Sequence, residues 1–244
     1  MSRQFKTLSG QVIVITGATS CIGLSTARML AKRGAALVLA ASHVSTLDRL
    51  AGEIRQAGGS VLAVPVDVTA LDQVQALGHS AVQYFGRIDT WINAGMAMDD
   101  LDDVKPAPVA ARLFSSHYWG ASHGARVARD LMAQEGGKII NLDSDACARH
   151  GVKGLTDTLR ADLETDGVPI AVTLVHAAGR NDMHNAPRLV AEAILRAAQH
   201  AQRDIVVSGA TPVPARGVNT TTPGLLERVR EMLALRHAHK AWHT

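Results

Sequence analysis

The sequence predicts a doubly wound α/β domain on a seven-stranded, mostly parallel sheet, and three observations predict it. Seven apolar runs, each of strand length, recur along the chain. They are continuous and not alternating, the pattern of strands covered on both faces. Between them lie amphipathic stretches with apolar residues three and four apart, so strands and helices alternate as in a sheet wound from both sides.

The first run, 11–16 (QVIVIT), leads to a helix over 23–33, closed by Gly34, which suits the position after a helix end. The second, 35–41 (AALVLAA), precedes a helix over 46–56 that carries Leu47, Leu50 and Ile54 on one face. The third, 61–66 (VLAVPV), precedes a helix over 70–85, for which Thr69 and Asp72 read as a capping-box start. The later strands are 90–94 (TWINA), 138–142 (KIINL), 170–175 (IAVTLV) and 204–209 (DIVVSG), with helices over 108–134, 147–165, 187–201 and 223–239. Residues 210–222 read as a surface loop, and with no repeat, linker or low-complexity tract, residues 1–244 read as a single domain.

Composition narrows the function classes. A chain of 244 residues, 47% hydrophobic and 19% charged, is long and apolar enough for one large core. Its net charge of +3 is spread without a basic block, which argues against a nucleic-acid partner. Cys21 and Cys147 give neither a disulfide framework nor a CxxC pair. The start, MSRQFKTLSG, lacks an apolar stretch suited to secretion, and no apolar run approaches the ~18 residues of a membrane span. A cytoplasmic protein without a membrane partner is expected. His237 and His239 lie two apart, and such positions do not share a helix face, so no metal site is expected.

The first strand runs directly into Thr16-Gly17-Ala18-Thr19-Ser20-Cys21-Ile22-Gly23 and then a helix. Glycines at such a turn let backbone N–H groups approach a pyrophosphate at the helix N-terminus. This loop resembles the TGxxxGxG loop of the short-chain dehydrogenase/reductase family, whose fold is of Rossmann type. Asp67-Val68 resembles the family's adenine-contacting pair, and Asn93-Ala94-Gly95 the tail of its NNAG signature, with Ile92 in place of the first Asn. The stretches 86–95, 136–142, 154–168 and 191–209 read the same way, so the resemblance covers roughly residues 8–235.

The resemblance implies a nicotinamide dinucleotide held by Gly17, Ser20, Cys21, Ile22, Gly23, Ser42, His43, Asp67, Val68, Asn93, Ala94 and Gly95. Cys21 stands where the family has its middle glycine, where a side chain adds bulk beside the phosphates and is penalised if φ is positive. An NAD-specific site carries a carboxylate after the second strand for the ribose 2′-OH. Here the chain reads Ala40-Ala41-Ser42-His43, without an acid, which favours NADP with Ser42 and His43 as partners of a 2′-phosphate and leaves NAD as the alternative.

The family's activity is hydride transfer between nicotinamide and a carbonyl or alcohol carbon, with a tyrosine, lysine, serine and asparagine managing the proton. Alignment by resemblance puts Ser144 at the serine position, Asp145 at the tyrosine, Arg149 at the lysine and His117 at the asparagine. Ser144 and Asp145 are adjacent, where relatives have an intervening segment. Their α-carbons are therefore only ~3.8 Å apart, too close to flank a substrate carbonyl. The lid segment after Gly179 is also shortened. Asp145 would have to move about 4 kcal/mol from ordinary carboxylate behaviour to donate a proton near neutral pH. Arg149, four residues on, opposes that shift. His117 is the candidate replacement donor; Tyr118 points ~100° away from it around a helix, and Tyr84 reads as packing.

Two readings follow. One is an NAD(P)(H)-dependent oxidoreductase on a small carbonyl or alcohol substrate, with ordinary tyrosine-dependent catalysis lost. The other is a non-catalytic cofactor-binding partner subunit. The resemblance implies a homo-oligomer, or a hetero-oligomer with a related subunit, through the helices at 108–134 and 147–165.

Overall fold

The computed structural model describes residues 6–95, 107–143, 149–177, 186–208 and 211–214. The chain divides at Pro214/Ala215, and the architecture below is that of the first unit. The predicted helix at 223–239, with His237 and His239, lies outside the described residues, as do Ser144, Asp145, Cys147 and the segment after Gly179.

The strands are β1 (Val12–Thr16), β2 (Ala36–Ala41), β3 (Val61–Pro65), β4 (Thr90–Asn93), β5 (Gly137–Asp143), β6 (Ile170–Ala177), β7 (Asp204–Ser208) and β8 (Thr211–Pro214). They pair in the order β3-β2-β1-β4-β5-β6-β7-β8. The first seven are parallel, as the apolar runs predict, and the fold is a Rossmann-like α/β domain. The eighth strand corrects the sequence reading: Thr211–Pro214, expected as loop, pairs antiparallel with β7. As an edge strand it tolerates Pro212 and Pro214, each of which lacks an N–H to donate.

Helices α1 (Cys21–Lys32), α2 (Val44–Gln56) and α7 (Ala186–Gln199) cover one face of the sheet. Helices α3 (Leu71–Phe85), α5 (Gly120–Met132) and α6 (Arg149–Thr165) cover the other. Successive strand residues feed opposite cores: Ile13, Ile15, Leu37, Leu39, Ile92 and Ile140 join the first, while Val14, Val38, Trp91 and Ile139 join the second. That is why the strands read as continuous apolar runs.

Two helix expectations change. Thr69 and Asp72 make no capping box: the cap position of α3 is Ala70, without a side-chain cap bond. Thr69 instead bonds Asp67 through its N–H at 2.9 Å and its hydroxyl at 2.7 Å, and Gln73 accepts the Asp67 N–H at 2.9 Å. The carboxylate nearest the turn has captured the threonine. The predicted helix 108–134 is α4 (Ala107–Phe114) followed by a π-helical segment, Ser115–Trp119, and then α5. Such wide turns concentrate at functional sites.

Candidate dinucleotide site at the carboxyl edge of the sheet

In a parallel sheet every strand ends on the same edge, and ligands bind where the strand order reverses, here between β1 and β4. The loop after β1 is shaped by two glycines. Gly17 has φ +68°, and a Cβ there would stand 2.5 Å from the Gly95 Cα and 2.6 Å from the Ala94 carbonyl oxygen. A Cβ on Gly23 would stand 2.2 Å from the Gly17 carbonyl oxygen, so α1 starts directly on the loop. The Ser20 hydroxyl caps α1 by accepting the Gly23 N–H at 3.0 Å, and donates to the Ala94 carbonyl at 3.2 Å. Ala94 is buried and its N–H donates to Thr16, which locks the end of β4 against the loop.

Cys21 is exposed and opens α1. The φ penalty expected for it does not arise: among the described residues no non-glycine has positive φ. What remains is a thiol at the helix mouth beside the Cys21 and Ile22 amides, which have no acceptor among the described residues. Two open amides at a helix N-terminus fit the pyrophosphate of a dinucleotide. After β2, Ser42 and His43 are both exposed, with no carboxylate between them.

Asp67 and Val68 follow β3. The Val68 carbonyl bonds His123 Nδ1 at 3.0 Å, and a Cβ on Gly120 would stand 2.9 Å from Val68 Cγ2, so the start of α5 seats this residue. Asp67 is exposed, its carboxylate turned into the Thr69 bonds. Asn93, by contrast, works inside the sheet. Its Oδ1 accepts from Trp91 Nε1 at 2.9 Å and Thr16 Oγ1 at 3.3 Å, while its Nδ2 donates to Asn141 Oδ1 at 2.9 Å and the Ala121 carbonyl at 3.4 Å. Those bonds tie β1, β4, β5 and α5 together, so its amide serves the fold and brings Ala94 and Gly95 to the crevice.

Of the residues expected at the proton-transfer site, Ser144 and Asp145 lie outside the described residues, and Arg149 is described only as the first residue of α6. His117 is buried in the π segment, with Nδ1 2.7 Å from the Leu113 carbonyl. A carbonyl only accepts, so Nδ1 carries hydrogen. Tyr118 stacks on Phe114 at 5.3 Å, and Gly151 of α6 packs against its ring. Tyr84, expected to pack, is 62% exposed, its ring edge-on to Phe85 at 4.7 Å.

Sequence reading missed a pair at the same edge. Asp143 ends β5 with a fully buried carboxylate, and its Oδ2 lies 2.8 Å from Nδ1 of His176 on β6. The two are register partners in the parallel ladder. The available signal was an acid and an imidazole near the ends of two mostly apolar strands.

Comparison with known proteins agrees with this architecture. A match to the short chain dehydrogenase family spans residues 11–185, and the chain belongs to that family. It is 33% identical to the uncharacterized oxidoreductase YxnA of Bacillus subtilis, over 97% of this chain and 76% of that relative. That alignment runs over 277 positions, more than the 244 residues here, so the relative carries residues for which this chain has none. Among solved structures, a short-chain type dehydrogenase/reductase from Mycobacterium marinum superposes with TM-score 0.70 at 26% identity, over 83% of this chain and 95% of that one. The hydroxysteroid dehydrogenase from Escherichia coli gives 0.71 at 21% identity, over 84% and 97%. Among the described residues no helix is long and apolar enough to cross a membrane.

Proposed function

We propose that this protein binds NAD(P)(H) across the carboxyl edge of the sheet and is an oxidoreductase on a carbonyl or alcohol substrate that does not use its relatives' tyrosine-dependent proton transfer. The observation that carries the reading is the helix mouth built on Gly17 and Gly23, where the Cys21 and Ile22 amides stand ready for an anion. Ser42 and His43 would take a 2′-phosphate, which favours NADP over NAD. Asp67 and Val68 would hold the adenine end, and the Ala94–Gly95 backbone the middle of the cofactor. When bound, the cofactor supplies hydride chemistry. Loss of the tyrosine route rests on Asp145 falling at the tyrosine position directly beside Ser144.

The second reading, a non-catalytic cofactor-binding subunit that pairs with itself or a related chain, is favoured by the exposed Phe114 just before the π segment and Trp119 at its end. In either reading a soluble, cytoplasmic protein is proposed, without nucleic-acid or metal partners. Fluorescence titration with NADPH and NADH, followed by turnover on ketones and alcohols, separates the two readings. Binding with turnover supports the enzyme, and binding without turnover the subunit.

A further inference from the structure

We infer that His176, held by Asp143, is the residue that gives and takes the substrate proton at this edge; the inference rests on the dinucleotide-binding oxidoreductase reading above. The placement comes from the sheet. β4 ends at Asn93, which pairs with Asn141 of β5, while β5 and β6 continue to the pair Asp143 and His176. The pair therefore stands two residues beyond the end of β4, at the edge where the crevice opens. Side chains two apart along a strand share a face. Asp143 shares one with Asn141, which bonds Thr156 of α6 at 2.9 Å. His176 shares one with Leu174, which packs on Ala121 of α5 and Val152 of α6. Both groups thus stand on the face covered by α5 and α6, next to the strand half over which the second nucleotide of a dinucleotide lies in this fold.

The chemistry follows from the bond. A carboxylate accepts only, so Nδ1 of His176 carries the hydrogen and Nε2 is the nitrogen left for a substrate. Asp143 is 0% exposed at its side chain and His176 23%, so the acid orients and the imidazole is reachable. A buried acid fixing the tautomer and aim of a partly exposed histidine is an arrangement for moving protons.

In the reducing direction a nicotinamide held at this edge would supply hydride to the carbonyl carbon, leaving the electron pair of the C=O π bond on oxygen. That oxygen takes the proton from Nε2 of the doubly protonated ring, whose Nδ1–H stays on Asp143. The ring is left neutral and recovers its proton from solvent. Oxidation of an alcohol runs the same transfers backwards.

The test uses the full chain and three readouts. NADPH binding is measured by fluorescence on the wild type and His176→Gln. Single-turnover loss of NADPH absorbance follows mixing with an aliphatic ketone, an aromatic aldehyde, a β-ketoacyl thioester and a ketosteroid. Nitrogen NMR of labelled histidine reads the His176 tautomer with and without NADP⁺. The expected result is unchanged binding, a rate lower by about 10²–10⁴-fold in His176→Gln, and partial rescue of His176→Ala by free imidazole. His176 should show hydrogen on Nδ1 in the unmodified protein, and its signal should move when NADP⁺ binds. A His176→Gln rate within threefold of wild type overturns the inference, as does an Nε2–H tautomer, which needs no variant to fold. Binding without turnover of any probe overturns it while leaving the dinucleotide site standing. No binding at all overturns the site reading itself.

Discussion

Gly124 and Asn93 occupy one space: a Cβ on Gly124 would lie 2.1 Å from Asn93 Oδ1 and 2.7 Å from Trp91 Nε1. The glycine of α5 is bare so that the amide joining β4 to β5 can sit beneath it. Helix propensity alone would make Gly124→Ala stabilising by about 1 kcal/mol. Crowding of a buried, hydrogen-bonded pair reverses the sign, and a loss of about 2–3 kcal/mol is expected. A denaturant midpoint that rises in Gly124→Ala would refute this packing.

Gly17 and Gly58 separate two demands on glycine. Both have positive φ, but a Cβ on Gly58 meets nothing within 4 Å, while on Gly17 it meets the backbone of Ala94 and Gly95. Gly58→Ala should lose only the ~1 kcal/mol of a left-handed alanine. Gly17→Ala should lose roughly 3 kcal/mol and dinucleotide binding with it. Chemical denaturation of the two variants side by side reads the difference; equal losses would contradict it.

Most of the fold was legible in the sequence because covered parallel strands leave continuous apolar runs, and all seven predicted strands are present. β8 was not, because TPVP carries two prolines and its pairing depends on the free edge of β7. The π turn at Ser115–Trp119 leaves no local mark, since an apolar stripe does not distinguish one extra residue per turn. The glycine loop was legible as a motif. Asn93 was legible as part of a motif, but its bonds to Thr16, Ala121 and Asn141 depend on the folded sheet. Asp143 and His176 are 33 residues apart and belong to no motif. Only the strand register brings them together.

Lys138 supplies a pH dependence. It is 2% exposed on β5 and donates to the Ala198 carbonyl, and burial pushes its ammonium down to about 8, with Asp89 partly opposing. Between about 8 and the ordinary lysine value of 10.5, the unfolded chain binds the proton that the folded chain has released. Stability therefore rises with pH across that window, by roughly 3 kcal/mol at most. In Lys138→Met that rise should vanish, while the Ala198 carbonyl keeps the Gln11 Nε2 bond at 2.9 Å. Denaturation midpoints at pH 7, 8, 9 and 10 compare the two; parallel curves would show that the lysine is not the source.

Cys21→Asp puts a carboxylate at the first position of α1. The helix should gain about 0.3–1 kcal/mol from the charge at its N-terminus. If the Cys21 and Ile22 amides hold the pyrophosphate, NADPH affinity should fall at least tenfold even so, by competition and repulsion. Affinity unchanged beside a raised melting temperature would place the phosphates elsewhere.

The cofactor preference tests the exposed end of β2. Ala41 is buried and Ser42 is the first exposed residue, so Ser42→Asp is the change that meets the ribose without burdening the core. It should shift preference toward NADH by repelling a 2′-phosphate. A variant that still favours NADPH by the wild-type ratio would contradict the assignment of Ser42.

The most direct measurement is calorimetric titration of the unmodified chain with NADPH and with NADH, repeated on Gly17→Ala. Saturable one-to-one binding is expected, with a Kd in the micromolar range, about −8 kcal/mol, with NADPH at least as tight as NADH and neither bound by the variant. No heat from either cofactor at millimolar concentration, or equal binding by Gly17→Ala, would contradict a dinucleotide site at the mouth of α1.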